Sequence, residues 1–346
     1  MNVLRQQFRI STVKASFRSW STTYAVLSTQ QKIQKRSVAT GGKRFQLNTG
    51  ASIPAIVFGT FQDPDAQEDA VSRALKAVMR LIDTARVHNV EKQVGKGIKR
   101  SDVPREDIFL GTKLWCNNFH PDDVERALDE SLTDLHTPYV DLLMMHYPCT
   151  FARGEDCFPR DSDGRMILGK TTNVDTWKAM EQLLKSGKVK AIGVSNFSKY
   201  ELETLIDECS VIPAVHQMEV HPYLQQKGFN EWLRSQEIHV VQFSPLGNMN
   251  DFYPTSQKLN QKYGKSVVQI VFSWGINGGR SVIPKSTIDW QIKENVEADF
   301  KMEPEDVKAI ETLGVKARFN DPSLDYQWRL YSDLEGTEDT MDGRTR

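Results

Sequence analysis

The stretch Leu81-Ile-Asp-Thr-Ala-Arg-Val-His-Asn-Val-Glu-Lys-Gln-Val-Gly95 opens as a short apolar strand, Leu81 to Ala85, with an acid, Asp83, toward its C-terminal end. The same kind of unit recurs along the chain. Further strands are predicted at Ile56 to Phe61, Ile108 to Trp115, Val140 to His146, Ala191 to Asn196, Ala214 to Val220, His239 to Ser244 and Ser281 to Lys285. Helical patterns lie between them, among them Gln67 to Met79, Pro121 to Leu135, Val174 to Ser186, Lys199 to Cys209 and Ser256 to Trp274. Pro121-Asp-Asp-Val starts its helix with proline in the first turn and acids against the positive helix end. Strict alternation of strand and helix implies parallel strands joined by right-handed crossovers. Eight such units over roughly 250 residues fit a closed (β/α)8 barrel better than a doubly wound sheet. No G-x-G-x-x-G opens any unit, so a dinucleotide would have to be held by strand-end loops rather than a Rossmann turn. Ahead of the first unit, Phe45 to Ile56 alternates around Asn48-Thr-Gly50 and reads as a β-hairpin, placed to close the barrel bottom.

With 346 residues, 39% of them hydrophobic and 26% charged, the chain is long enough to bury a full core. A net charge of −1 gives no electrostatic reason to expect nucleic acid or an anionic membrane as partner. No apolar run approaches the ~20 residues of a membrane-spanning helix. Cys116, Cys149, Cys157 and Cys209 lack CxxC spacing and read as reduced thiols, with neither a disulfide framework nor a metal site expected. The charge is unevenly placed. From Met1 to Gln62 there is no Asp or Glu, while Arg and Lys are spread among Ser, Thr and apolar residues. Residues 1–43 therefore form a basic extension with the composition of a mitochondrial transit peptide, a disordered basic tail or a misassigned start being the alternatives. The barrel domain is expected over 44–323. The tail 324–346, ending in Asp333, Glu335, Glu338, Asp339 and Asp342, is expected to be solvated and largely disordered.

Asp83, Lys113, His146, Ser195 with Asn196, Gln217, Ser244 and Lys285 all fall at the C-terminal ends of different predicted strands, where barrel enzymes build their sites. Capping of the following helix would explain Ser195 or Asn196 singly. Taken alone, Lys113 could be a solvated strand-end lysine and His146 a satisfied core histidine. A buried lysine needs a carboxylate partner to keep its charge, and Asp83 is the only acid in this set.

The motifs that carry a wider resemblance are Phe45-Gln-Leu-Asn-Thr-Gly50, Ile82-Asp-Thr-Ala85, Thr112-Lys-Leu-Trp115, Val140-Asp-Leu-Leu-Met-Met-His-Tyr-Pro148 and Ala191-Ile-Gly-Val-Ser-Asn-Phe197. With them go Gln217, His221-Pro-Tyr223, Phe243-Ser-Pro-Leu-Gly247 and Ile283-Pro-Lys-Ser286. Together these resemble the aldo-keto reductases from Phe45 to about Ser323. The resemblance implies a (β/α)8 fold, NAD(P)H bound in extended form, and reduction of a small carbonyl compound to an alcohol. It also implies that Asp83 holds Lys113, that Lys113 is the electrostatic partner of the proton donor, and that His146 binds the carbonyl oxygen. His88 stands where the family places its proton-donating Tyr. A nearby Lys113 ammonium would keep an imidazole there mostly neutral, able to donate one N–H to an alkoxide. Being shorter than a phenol, it would call on a bridging water or His146 to complete the proton path. The alternative is a catalytically weak, cofactor-binding regulatory or interaction protein on the same fold.

By the same resemblance Thr60 is a cofactor contact, Ser195, Asn196 and Gln217 hydrogen-bond the nicotinamide carboxamide, and Phe243 stacks on the ring where the family usually has Tyr. Ser244, Leu246 and Gly247 line the pyrophosphate path. Lys285, Ser286 and Thr287 match the adenosine-phosphate loop, and Glu294 with Asn295 the adenine contacts. Gln291 replaces the Arg that usually pairs with a 2′-phosphate, so NADPH is the first choice and NADH remains possible. Phe61, Trp115 and Tyr147 match aromatic walls of the substrate pocket, and residues 148–173 read as a loop over the barrel mouth. A monomer is expected.

Overall fold

The computed structural model describes residues 42–247, 254–313, 316–331 and 333–334. Residues 1–41 of the leader expected over 1–43, and the acids Glu335, Glu338, Asp339 and Asp342, lie outside the described residues. The chain enters as a hairpin, β1 (Arg44–Gln46) antiparallel to β2 (Ser52–Pro54), with Phe45 opposite Ile53. Gly50 turns it at φ 82°, a left-handed conformation that glycine adopts without a Cβ penalty. Leu47 and Ile53 of this hairpin are buried in one cluster with Leu81, Phe109, Leu142, Ala191 and Ala214, which stand at the starts of successive strands. That contact set puts the hairpin across the barrel bottom.

The eight parallel strands are β3 (Phe58–Gly59), β4 (Leu81–Asp83), β5 (Phe109–Leu114), β6 (Leu142–Met145), β7 (Ile192–Ser195), β8 (Val215–Glu219), β9 (His239–Phe243) and β10 (Ser281–Val282). Each pairs with its successor in the sequence, and the ends of the series meet. Val57 N donates to Val282 O at 2.9 Å, Val282 N to Ala55 O at 2.8 Å and Gly59 N to Pro284 O at 3.0 Å. The sheet is therefore closed, with no free edge to blunt. All eight strands fall within the predicted runs, although Ile56 to Phe61 contributes only two residues of strand.

The helices on the outside are α1 (Pro64–Lys76), α2 (Glu91–Ser101), α3 (Pro121–Asp134), α4 (Asn173–Ser186), α5 (Lys199–Glu208), α6 (Lys227–Ser235), α7 (Pro254–Tyr263), α8 (Val267–Asn277), α9 (Asp289–Val296), α10 (Pro304–Glu311) and the short α11 (Ser323–Tyr326). The single helix expected over Ser256 to Trp274 is two. Gly264 turns left-handed at φ 60° and ends the first, and Ser266 starts the second through a reciprocal capping box with Gln269. Both signals are legible in Gly264-Lys-Ser266, and the apolar run that follows masks them. Capping boxes also start α4 (Thr172 with Asp175) and α5 (Ser198 with Glu201).

A second correction concerns the tail. Tyr326, Leu330, Tyr331 and Leu334 are 8%, 1%, 2% and 8% exposed, so these side chains of the tail are packed into the protein rather than solvated. Tyr326 sets its ring edge-on to Trp115, Tyr147 and Phe151, and Asp325 pairs with Arg160 at 2.7 Å. Arg160 belongs to the long loop over 148–173, which is held by isolated bridges Phe151 to Leu168 and Arg160 to Met166. Loop and tail thus meet over one aromatic cluster. The four cysteines are free thiols, Cys116 and Cys149 lying 3.8 Å apart in the core.

Candidate active site

The site is assembled from strand ends, because parallel strands in a closed barrel deliver their C-terminal residues to one rim. Asp83 ends β4 and Lys113 lies near the end of β5. Lys113 Nζ donates to Asp83 Oδ2 at 2.7 Å and to the Thr84 carbonyl at 3.0 Å, with only 1% of the lysine side chain exposed. Gln217, from β8, donates its Nε2 to the other carboxylate oxygen at 2.9 Å. The carboxylate is thus shared between an ammonium and an amide, the compensation that buried charges require.

His88 ends a short turn after β4, and His146 directly follows β6. Their rings stand edge to face with centroids 5.8 Å apart. Burial, reinforced by the Lys113 charge, pushes His88 down to about 3. Burial first, then Lys113 and His88, hold His146 well below the usual imidazole range. Both rings are neutral at physiological pH. Each keeps Nδ1 buried without a hydrogen-bond partner, so Nε2 is the nitrogen it can offer to a ligand.

These groups line a cavity of about 1000 Å³ that also takes in Thr60, Phe61, Tyr147, Ser195, Asn196, Phe243, Ser244, Leu246, Lys285, Gln291, Glu294 and Asn295. Four expected contacts stand back from it. Trp115 is 1% exposed, donates Nε1 to the Cys157 carbonyl at 2.7 Å and backs the His146 ring at 5.1 Å, so it braces the wall rather than forming it. Gly247 turns at φ 62° where a Cβ would meet the His221 ring at 3.0 Å. Ser286 donates to Gln291 Oε1 at 2.5 Å, and the Thr287 carbonyl accepts from Arg73 at 2.9 Å.

Other strand-end residues are held from segments outside the predicted strands. Asn196, left-handed at φ 66°, donates Nδ2 to the His146 carbonyl at 2.9 Å and accepts at Oδ1 from the Tyr331 hydroxyl at 2.9 Å. Asn320 donates to the Ser244 hydroxyl at 3.2 Å. The chain at Phe319 and Asn320 is itself tied to buried Glu219 through both backbone N–H groups, each at 2.9 Å. Burial alone would raise Glu219, but those bonds and the His221 ring hold its carboxyl below the ordinary range. Lys285 is ion-paired to Asp63, and Trp290 also lines the cavity. Neither was anticipated. The donor set fits an extended dinucleotide: hydroxyl and amide groups of Ser195, Asn196 and Gln217, an aromatic wall at Phe243, and Lys285 with Asn295.

A closed (β/α)8 barrel with a buried Lys–Asp pair and two imidazoles at its strand-end rim defines an enzyme-type site. The chain belongs to the aldo/keto reductase family, whose sequence model matches residues 46–314. It is 42% identical over 317 residues to an uncharacterized oxidoreductase of Schizosaccharomyces pombe, covering 87% of this chain and 95% of that protein. To the D/L-glyceraldehyde reductase of Hypocrea jecorina it is 39% identical, covering 86% of this chain and 96% of that one. To aldo-keto reductase family 1 member A1 of Homo sapiens it is 36% identical, covering 80% and 91%. The aldose reductase structure from Schistosoma japonicum superposes with a TM-score of 0.81 at 30% identity, covering 86% of this chain and 99% of that one.

Proposed function

We propose that this chain reduces an aldehyde or ketone to an alcohol with NAD(P)H, His88 occupying the proton-donor position. The observation that carries the reading is the buried Lys113–Asp83 pair beside two neutral imidazoles in one cavity with Ser195, Asn196 and Gln217. When bound, the reduced nicotinamide supplies a hydride to the carbonyl carbon. His146 and His88 each offer an Nε2–H to the carbonyl oxygen, and Lys113 stabilises the negative charge that develops there. The alkoxide takes its proton through His88 or through a water beside it. Lys285 favours NADPH, but the uncharged Gln291 keeps that preference modest. Phe61, 56% exposed at the mouth, and Tyr147, stacked on His146 at 5.3 Å, are the proposed substrate walls.

One observation favours a second reading, a cofactor-binding protein of low turnover: a neutral imidazole is a weaker acid than a phenol beside a cation. Titrating NADPH and NADH into purified protein, followed by a carbonyl screen, separates the two. Quenching of protein fluorescence with turnover supports the reductase, and quenching without turnover supports the second reading. Binding of neither cofactor at millimolar concentration removes both. We also propose that the acid-free segment 1–43 is a mitochondrial leader. N-terminal sequencing of native protein is then expected to begin within it, whereas an intact Met1 on cytosolic protein overturns the targeting.

A further inference from the structure

Lys293, Arg73 and Lys285 are each held by an acid of the protein itself. Lys293 pairs with Asp289 one turn away at 2.7 Å, and Arg73 with Asp69 at 2.8 Å while it also donates to the Thr287 carbonyl. Lys285 pairs with Asp63, and this pair is of a different kind. Asp63 comes from the loop after β3, whose residues Phe61 and Gln62 line the cavity, so the ion pair joins two strand-end loops at its edge.

The local backbone shows what that contact displaces. Asp63 is the N-cap of α1, where an aspartate ordinarily accepts from the first-turn N–H groups, yet it makes no capping bond. It sits left-handed at φ 54°, next to Gln62 at φ 66°, and two successive non-glycine residues in that region are disfavoured. The Gln62 carbonyl is pinned by Gln67 Nε2 at 2.6 Å. An unused cap and a strained turn are consistent with a carboxylate turned to Lys285 instead of to its own helix.

We infer that Asp63 is a cofactor-selectivity residue: by occupying Lys285 it stands in for a phosphate and lowers the protein's preference for a dinucleotide carrying a 2′-phosphate. The inference rests on the proposed reading that Lys285 marks the adenosine end of a bound dinucleotide. A 2′-phosphate there would share one ammonium with a carboxylate. Gln291, which also lines the cavity, brings no second positive charge to bind the phosphate in its place.

The test is a fluorescence titration of NADPH and NADH against wild type, Asp63→Asn, Lys285→Met and the double variant. Asparagine keeps the shape of Asp63 and tolerates the left-handed conformation, so the fold is preserved. Asp63→Asn is expected to tighten NADPH about tenfold and NADH by less than about twofold. In the Lys285→Met background the same change is expected to move the NADPH-to-NADH ratio much less, because the pair is already gone. An unchanged ratio in Asp63→Asn, or an equal shift with and without Lys285, overturns the inference. If wild type binds neither cofactor, the functional reading beneath it fails instead.

Discussion

The ring of His88 works in this site as an uncharged group, because burial removes the water that would stabilise an imidazolium and Lys113 repels the extra proton. Its contribution to carbonyl reduction therefore comes through a neutral N–H, and kcat/KM is expected to pass through pH 6.5 without a break. An inflection near 6.5 would mean that the imidazolium is the acid. His88→Ala is expected to lower kcat by roughly 10²-fold or more, the scale of losing a general acid, with cofactor affinity unchanged. His88→Tyr is expected to raise carbonyl reduction, since a phenol beside a buried ammonium is the better donor. Equal rates for Ala, Tyr and wild type would make His88 a bystander and route the proton through His146 or water.

Among the elements, the C-terminal segment departs furthest from what its composition suggests. Its acids suggest solvation, but Asp333 accepts the Tyr200 N–H at the start of α5 at 2.9 Å, a favourable place for negative charge. The aromatic residues interleaved with those acids dock the segment on the barrel rim, and Tyr331 then reaches Asn196. Tyr331→Phe leaves a buried Asn196 oxygen without its donor, a loss of about 1 to 3 kcal/mol. Because Asn196 also holds the His146 carbonyl, NAD(P)H is expected to bind several-fold more weakly to this variant, read by the same fluorescence titration. A lowered melting temperature with unchanged affinity would reduce Tyr331 to a packing residue. A related conflict of signals lies over Ser256 to Trp274, where an apolar periodicity that predicts one helix runs across Gly264 and the Ser266 cap, which end one helix and start the next.

For the whole molecule, several imidazoles are buried uncharged. Besides His88 and His146, burial pushes His216 down to about 3 and His239 to about 4. A histidine with a lowered folded-state pKa binds its proton more readily when unfolded. Its stabilisation is therefore complete above 6.5 and is lost as pH falls toward 3 or 4. Glu201, raised by burial from 4.5 to about 7, runs the other way over that interval and offsets roughly one histidine. At pH 5 the cost is on the order of 2 kcal/mol for each of His216 and His239. The urea midpoint is expected to fall between pH 7 and pH 5. A midpoint that held or rose would show that these rings are not buried neutral.

The sequence alone determined the barrel and the rim residues that strands deliver, Asp83, Lys113 and His146 first among them. It could do so because strand and helix periods are local, crossovers have one hand, and a closed parallel barrel necessarily gathers strand ends. The hairpin plug followed from the same local alternation. Only the tertiary structure decided that Trp115 stands behind the wall, that Gln217 turns its amide to Asp83, that Asp63 takes Lys285 and that Tyr331 takes Asn196 across 135 positions of chain. Those partners are set by loop conformation and by which buried donor meets which acceptor, and no local pattern in the chain encodes either.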